Sequence, residues 1–428
     1  MKKILNPSVS QWEEILARPV MSLEDIEKRV IPIMSRVAEE GDAALKAFAA
    51  TFDGIDLSDL EVSDAEWNEA ADLVEDDLKA AIQSAADNIE KFHAQQRHDE
   101  PVVETLQGVF CWRKSIGIEK VGLYIPGGTA PLFSTVLMLA IPARLAGCKE
   151  VILCSPPNKQ GKIHPAILYA AKLTGVHRVF KAGGAQAIAA MTFGTVTIPK
   201  VYKIFGPGNQ YVMAAKQLAM KFGVAIDMPA GPSEVAVIAD KTANPAFIAA
   251  DLLSQAEHGN DSQVILFTDD ESLLEQVENA VKKQLTVLAR ANFASNALEN
   301  SKLILVKDLD EAMAMSNAYA PEHLILQVEN PESLAEQVTN AGSVFLGHLT
   351  PESAGDYASG TNHTLPTNGY ARAYSGVSLD TFVKKVTFQK ISPEGLKNIG
   401  GVIEVMAAAE ELDAHKNAVT LRLQSLTK

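Results

Sequence analysis

The sequence predicts an α/β protein: two Rossmann-like parallel-sheet units in tandem, with a helical segment before them and a helical tail after them. Two observations carry this expectation. Short apolar runs alternate with segments of helical period from residue 120 onwards, and turns bearing Gly or Pro separate them. Strands alternating with helices at this spacing favour parallel sheets covered on both faces.

The elements follow in order. Residues 25–48 and 64–93 read as helices, with apolar side chains at helical spacing, as at Ile26, Val30, Ile33 and Val37. A strand at 120–125 runs into the turn Pro126-Gly127-Gly128-Thr129-Ala130-Pro131, and a helix at 132–146 is stopped by Gly147. Strand 150–154, helix 164–174 and strand 178–181 come next, and Gly183-Gly184 opens a helix at 185–193. Strand 202–205, the turn Gly206-Pro207-Gly208-Asn209 and helix 210–222 complete the first unit. The second unit alternates strand 234–238, helix 245–258, strand 263–268, helix 272–288, strand 302–306 and helix 309–317. Residues 347–378 are rich in Gly, Ser, Thr, Asn and His without periodicity, and a loop of that length inside a compact protein is usually functional. Residues 392–426 return to helix, opened by Pro393. The apolar stripe Val402, Val405, Met406 and Leu412 needs a surface to dock on, and a partner subunit offers one.

Composition narrows the function. The 428 residues suffice for about two or three domains. A net charge of −15, from 38 basic and 53 acidic residues, repels phosphate backbones and anionic lipid, so neither nucleic acid nor a membrane is expected as partner. The start of the chain lacks the apolar stretch of a secretory signal, and no apolar run reaches the roughly 20 residues a bilayer span needs. Three cysteines, Cys111, Cys148 and Cys154, make neither a disulfide framework nor a thiolate zinc site, and a reducing cytoplasm is the expected compartment. Cys148 and Cys154 sit in apolar settings and read as small buried hydrophobes.

Chemistry can lie in several places. The three glycine-bearing turns lack the full G-x-G-x-x-G pattern, yet a backbone without Cβ at the end of a strand lets a phosphate approach helix N-terminal amides. Tyr124 stands where it could lie against a flat ring; glycines that merely make tight turns are the plain alternative. Gln255 and His258, at i and i+3, leave one face of a helix end, where His258 could ligate a metal or interact with the helix dipole. Asp356 and His415 are further nitrogen and oxygen donors suited to zinc or a similar ion. Pro321-Glu322-His323 sets a carboxylate beside an imidazole, two groups able to move protons near neutral pH. Neighbours on an extended chain point opposite ways, so both serve one site only where the backbone is irregular.

Ile226-Asp227-Met228-Pro229-Ala230-Gly231-Pro232-Ser233-Glu234 followed by Ser254-Gln255-Ala256-Glu257-His258-Gly259 closely resembles the signature of the histidinol dehydrogenase family. So do Ala320-Pro321-Glu322-His323-Leu324, the stretch from Ser353 to His363, and Ala414-His415-Lys416-Asn417-Ala418, in the same order along the chain. The resemblance implies oxidation of L-histidinol to L-histidine through a bound aldehyde, the last step of histidine biosynthesis, with two NAD+ reduced per turnover. It implies one zinc ion per subunit on Gln255, His258, Asp356 and His415, the last from the other subunit of a homodimer with shared active sites. Substrate contacts are expected at Ser233, His323, His363, Glu410 and the four metal ligands, and NAD contacts at Tyr124, Gln186 and Asn209. Glu322 and His323 are the expected catalytic pair.

The expected domains are a dimerisation segment at 1–20, a metal-bearing α/β domain from 21–120 and 235–375, an NAD-binding α/β domain at 121–234, and a tail at 376–428 docking on the partner. The residues alone also admit a zinc hydrolase of a small amine or amide, with Glu322 as base, or a metal-dependent binding protein.

Overall fold

A computed structural model describes residues 1–19, 23–127, 131–229 and 231–427. Gly128, Thr129 and Ala130 of the first glycine turn, and Ala230, lie outside the described residues. The described chain falls into two units, 1–96 with 118–382 and 97–117 with 383–428.

The first unit holds two parallel sheets, as the alternation of elements predicts. One has five strands, in the order Arg178–Lys181, Glu150–Ser155, Lys120–Tyr124, Lys203–Phe205 and Ala225–Ile226. The other has six: Lys2–Leu5, Lys302–Leu305, Gln263–Thr268, Glu234–Ala239, His323–Gln327 and Ser343–Leu346. Strand period sets the core. Val235, Val237 and Ala239 enter the apolar cluster on one face of the six-stranded sheet, while Ala236 and Ile238 enter the cluster on the other. Strands buried on both faces therefore read as unbroken apolar runs. In each sheet the chain winds outwards one way and then the other. The order reverses beside Lys120–Tyr124 in the first and beside Glu234–Ala239 in the second.

Several expectations are corrected. The helices Leu23–Glu40, Asp64–Asp72 and Asp76–Ala94 pack on Gly184–Phe193 and Gln210–Lys221, on Pro165–Thr174 and on Phe133–Leu145, respectively. They therefore pack outside the helices that cover the two faces of the five-stranded sheet. The expected helix 25–48 breaks at Gly41, whose φ of +57° interrupts it, and Asp42–Phe48 follows as a separate helix. Lys2–Leu5 is an edge strand of its own chain's sheet, reached by long-range pairing that local pattern does not reveal. Ser343–Leu346 and the helix Ala291–Glu299 were also not foreseen.

The second unit is not all helix. Val383–Ile391, Val109–Gly117 and Val103–Leu106 make an antiparallel sheet beside the helices Pro393–Ala409 and Asp413–Ser425. Within it, Ser392 caps the first helix by accepting from the Gly395 N–H at 3.0 Å. Residues 376–382 belong to the first unit. Among the described residues no helix is long and apolar enough to cross a membrane.

Candidate active site

The catalytic candidates collect at the amino ends of the two strands where the six-stranded sheet reverses. His323 opens its strand opposite Val235, which sets Glu322 beside Glu234. The irregularity required for Glu322 and His323 to share a site is present: Ala320 adopts φ +55°, an uncommon conformation for a residue with a Cβ, immediately before Pro321. Glu322 and His323 are 7% and 3% exposed, with Glu322 Oε2 3.6 Å from His323 Nδ1. The Glu234 N–H donates to Glu322 Oε2 at 2.9 Å. Glu234 itself is neutralised by Arg18, whose guanidinium donates to both carboxylate oxygens at 2.5 and 2.9 Å while lying over the Tyr319 ring.

The helix Pro245–Ala256 runs back along the sheet and delivers Gln255 to the same end. Its Nε2 donates to Glu322 Oε2 at 3.2 Å, which fixes the amide so that Oε1 faces away from that carboxylate. That Oε1 is buried and has no hydrogen-bond partner among the described residues. His323 shows the same pattern. Its Nδ1 lies 3.1 Å from the Glu234 carbonyl, which can only accept, so Nδ1 carries the proton and Nε2 is the basic nitrogen. Nε2 is buried with no hydrogen-bond partner among the described residues, and it stands 3.6 Å from Asp356 Oδ1.

Asp356 comes from Glu352–Tyr357, a short helix inside the loop that the sequence left unstructured. Glu352, in its first turn, was not anticipated; its only sequence signal is an acidic residue after Pro351. It is fully buried, both carboxylate oxygens lack hydrogen-bond partners among the described residues, and donor atoms of His323, Glu352 and Asp356 lie within 4.8 Å of one another.

Electrostatics follow from this crowding. Burial pushes Glu322 up to about 8, against the pull of the neighbouring His323. Burial opposes charging His323 too, but the carboxylates of Glu352, Glu322 and Asp356 outweigh it and raise the imidazole to about 10; a divalent cation taking up that negative charge would remove the pull and leave Nε2 free to accept a proton. Three carboxylates gathered on one imidazole, with an amide oxygen left unpaired beside them, make a donor set that suits a divalent cation. Of the expected ligands, Asp356 belongs to this cluster and Gln255 reaches its neighbours Glu322 and His323. His258 approaches Ser233 Oγ at 3.4 Å and lies within electrostatic reach of Asp356.

His363 is held from both sides: Nδ1–H donates to the Asp356 carbonyl at 2.9 Å, and Nε2 meets Thr135 Oγ1 at 3.0 Å. Glu410 and His415 lie in the second unit, exposed, one ending the helix Pro393–Ala409 and the other inside Asp413–Ser425.

The nucleotide candidates gather at the other sheet, at the carboxyl ends of its strands and at its reversal point, where such folds hold ligands. Tyr124 ends the central strand. It is 4% exposed, its hydroxyl accepts from the Gly184 N–H at 3.0 Å, and burial raises its pKa to about 12. Through that hydroxyl it braces the second glycine turn. Gln186 is buried on that helix, and exposed Asn209 caps Gln210–Lys221, accepting from Tyr211 and Val212 N–H at 3.1 Å. The glycines have a reason beyond turning: a Cβ on Gly127 or Gly183 would stand 2.3 or 2.5 Å from the Pro156 ring, and one on Gly206 only 2.1 Å from the Tyr124 carbonyl oxygen.

Fold and site define the class: an α/β enzyme with a buried acid–base centre at one sheet and glycine turns at the carboxyl ends of the strands of the other. A family model described as histidinol dehydrogenase matches residues 16–423. Proteins named histidinol dehydrogenase from Bacteroides thetaiotaomicron and Bacteroides fragilis are 63% and 62% identical, each covering 100% of this chain and of the relative. The crystal structure of histidinol dehydrogenase from Elizabethkingia anophelis superposes with a TM-score of 0.97 at 59% identity, over 100% of this chain and 99% of that one. The chain belongs to the histidinol dehydrogenase family, and it is an NAD-dependent oxidoreductase.

Proposed function

We propose that this enzyme oxidises L-histidinol to L-histidine in two hydride transfers, by way of an aldehyde that stays bound, as the last step of histidine biosynthesis. The observation that carries the reading is the convergence of Glu322, His323 and Gln255 on one buried point, where His323 Nε2 and Gln255 Oε1 have no hydrogen-bond partner among the described residues.

Gln255, His258 and Asp356, with His415 of the partner subunit, would hold one zinc ion, which orients the substrate's nitrogens and polarises its oxygen when bound. NAD+, held through Tyr124, Gln186 and Asn209 of the 121–234 domain, accepts the hydrides. His323 Nε2 takes the hydroxyl proton of the CH–OH carbon as its hydride departs, leaving the aldehyde. Glu322 takes a proton from water that adds to the carbonyl, and protonated His323 returns its proton to the carbonyl oxygen, which gives the hydrate and frees Nε2 again. His323 then takes a hydroxyl proton from the hydrate as the second hydride leaves, and the carboxylate forms. Hydration fits the thiols: burial raises Cys148 to about 11 and Cys154 higher still, so neither presents a thiolate in the first unit. Ser233, His363 and the partner subunit's Glu410 complete the substrate contacts. The assembly is a cytoplasmic homodimer, with the exposed Val402, Val405 and Met406 of Pro393–Ala409 as the docking stripe.

The test is chelator-treated protein given L-histidinol and excess NAD+, with NADH followed by near-ultraviolet absorbance. Two NADH per histidinol, lost on metal removal and restored by zinc, is the expected result. Full activity without divalent ions overturns the metal's role, and no reduced nicotinamide at all points to a zinc hydrolase.

A further inference from the structure

The third glycine turn rests on a buried ion pair. Lys216, on the helix Gln210–Lys221, and Asp227, just past the strand Ala225–Ile226, have side chains 3% and 0% exposed, with Nζ 2.5 Å from Oδ1. The pair reaches beyond itself. Lys216 Nζ donates to the Gly206 carbonyl at 2.8 Å, and the Gly206 N–H donates to Asp227 Oδ2 at 2.8 Å. Both polar groups of one residue are thus held by opposite ends of one ion pair. Gly206 needs holding. Its φ is +127°, and it lies hard against the backbone of Tyr124.

Stability alone does not call for charges here. Taking two ions out of water costs several kcal/mol each, and a well-packed apolar pair often serves stability as well. An apolar pair offers neither the acceptor that the Gly206 N–H uses nor the donor that its carbonyl uses. The turn so held, Gly206-Pro207-Gly208-Asn209, is the one at the reversal point of the five-stranded sheet.

We propose that Lys216 and Asp227 are positioning residues for the dinucleotide, acting through Gly206 to hold the Gly206–Asn209 turn in the conformation that receives it. This rests on the reading of the nucleotide site given above. Neither side chain reaches solvent, so neither touches NAD+. Their effect falls on cofactor affinity and spares the amino alcohol, whose contacts lie at the other sheet.

The test compares K216M, K216R and D227N with the parent protein. It measures NAD+ affinity by equilibrium titration, the KM for NAD+ and for L-histidinol, and the melting temperature. K216M and D227N should weaken NAD+ binding and raise its KM by about tenfold or more, with the KM for L-histidinol within about twofold. K216R, which keeps the charge and a donor, should recover part of the loss. Unchanged NAD+ affinity overturns the proposal, as does a parallel rise of both KM values tracking a fall in melting temperature. Should K216M not fold, D227N, which is isosteric but leaves Lys216 buried without its counter-charge, decides the matter alone. Q186A and N209A separate the two readings. If they leave NAD+ affinity unchanged, the nucleotide site is wrong; if they weaken it and the ion-pair variants do not, the brace alone is wrong.

Discussion

At the scale of single residues, the site is governed by which polar atoms are left without partners. Glu322 Oε2 accepts from both the Glu234 N–H and Gln255 Nε2, so E322Q presents an amide where two donors already point. Its assigned task is hydration, which follows the first hydride. Stopped-flow of E322Q should therefore show one NADH per site at near-normal rate and a second slowed roughly 10²-fold or more; equal slowing of both steps would contradict the assignment. A second prediction concerns stability. His93 is fully buried, Nδ1 donates to the Ile89 carbonyl at 2.8 Å, and burial lowers its pKa below the ordinary 6.5. The unfolded chain then takes up this proton at a higher pH than the folded one, so His93 causes stability to fall as pH drops below about 6.5. Melting temperatures between pH 7 and 5 should decline less steeply in H93Q than in the parent.

At the scale of elements, close backbone approach explains why the turns carry glycine. Gly206 and Gly223 both have positive φ, +127° and +79°, but only Gly206 has a neighbour in the way. G223A should cost about 1–2 kcal/mol from backbone conformation alone. G206A adds a collision with Tyr124 and should cost more, about 3 kcal/mol or above, while weakening NAD+ binding. Urea unfolding of the two variants checks the order. The central strands of both sheets and most of their covering helices were legible in the sequence because each carries its own period, whereas the strands Lys2–Leu5, Ala225–Ile226 and Ser343–Leu346 carry none that marks them. Glu322 and His323 were legible as chemistry, but their convergence was not. It depends on Ala320 entering the left-handed region and on strand register, and neither leaves a local pattern.

At the scale of the whole molecule, the two candidate centres sit on opposite kinds of sheet edge: carboxyl ends for the nucleotide, amino ends for the acid–base pair. His363 is a direct strut within this unit, running from the Asp356 carbonyl to Thr135 on the helix that follows the first glycine turn. The proposed dimer predicts complementation. H323A and H415A should each be inactive, yet a mixed dimer of the two should regain activity at the one site that draws an intact His323 and an intact His415 from different chains. Co-refolded mixtures assayed against each variant alone check it, and no recovery would mean that each site is built from a single chain.

The amino-acid sequence alone determined the alternation of elements, the two parallel sheets, the glycine turns and the chemically able residue types, since periodicity and turn chemistry act over a few neighbours. Long-range packing decided the rest. It paired Lys2–Leu5 with Lys302–Leu305, laid the first helices over the five-stranded sheet and formed an antiparallel sheet from 103–117 and 383–391. It also buried Glu352 against His323 and closed Lys216 on Asp227. Those contacts join residues up to about 300 positions apart, and their free energy comes from burial and register, which no short stretch of sequence encodes.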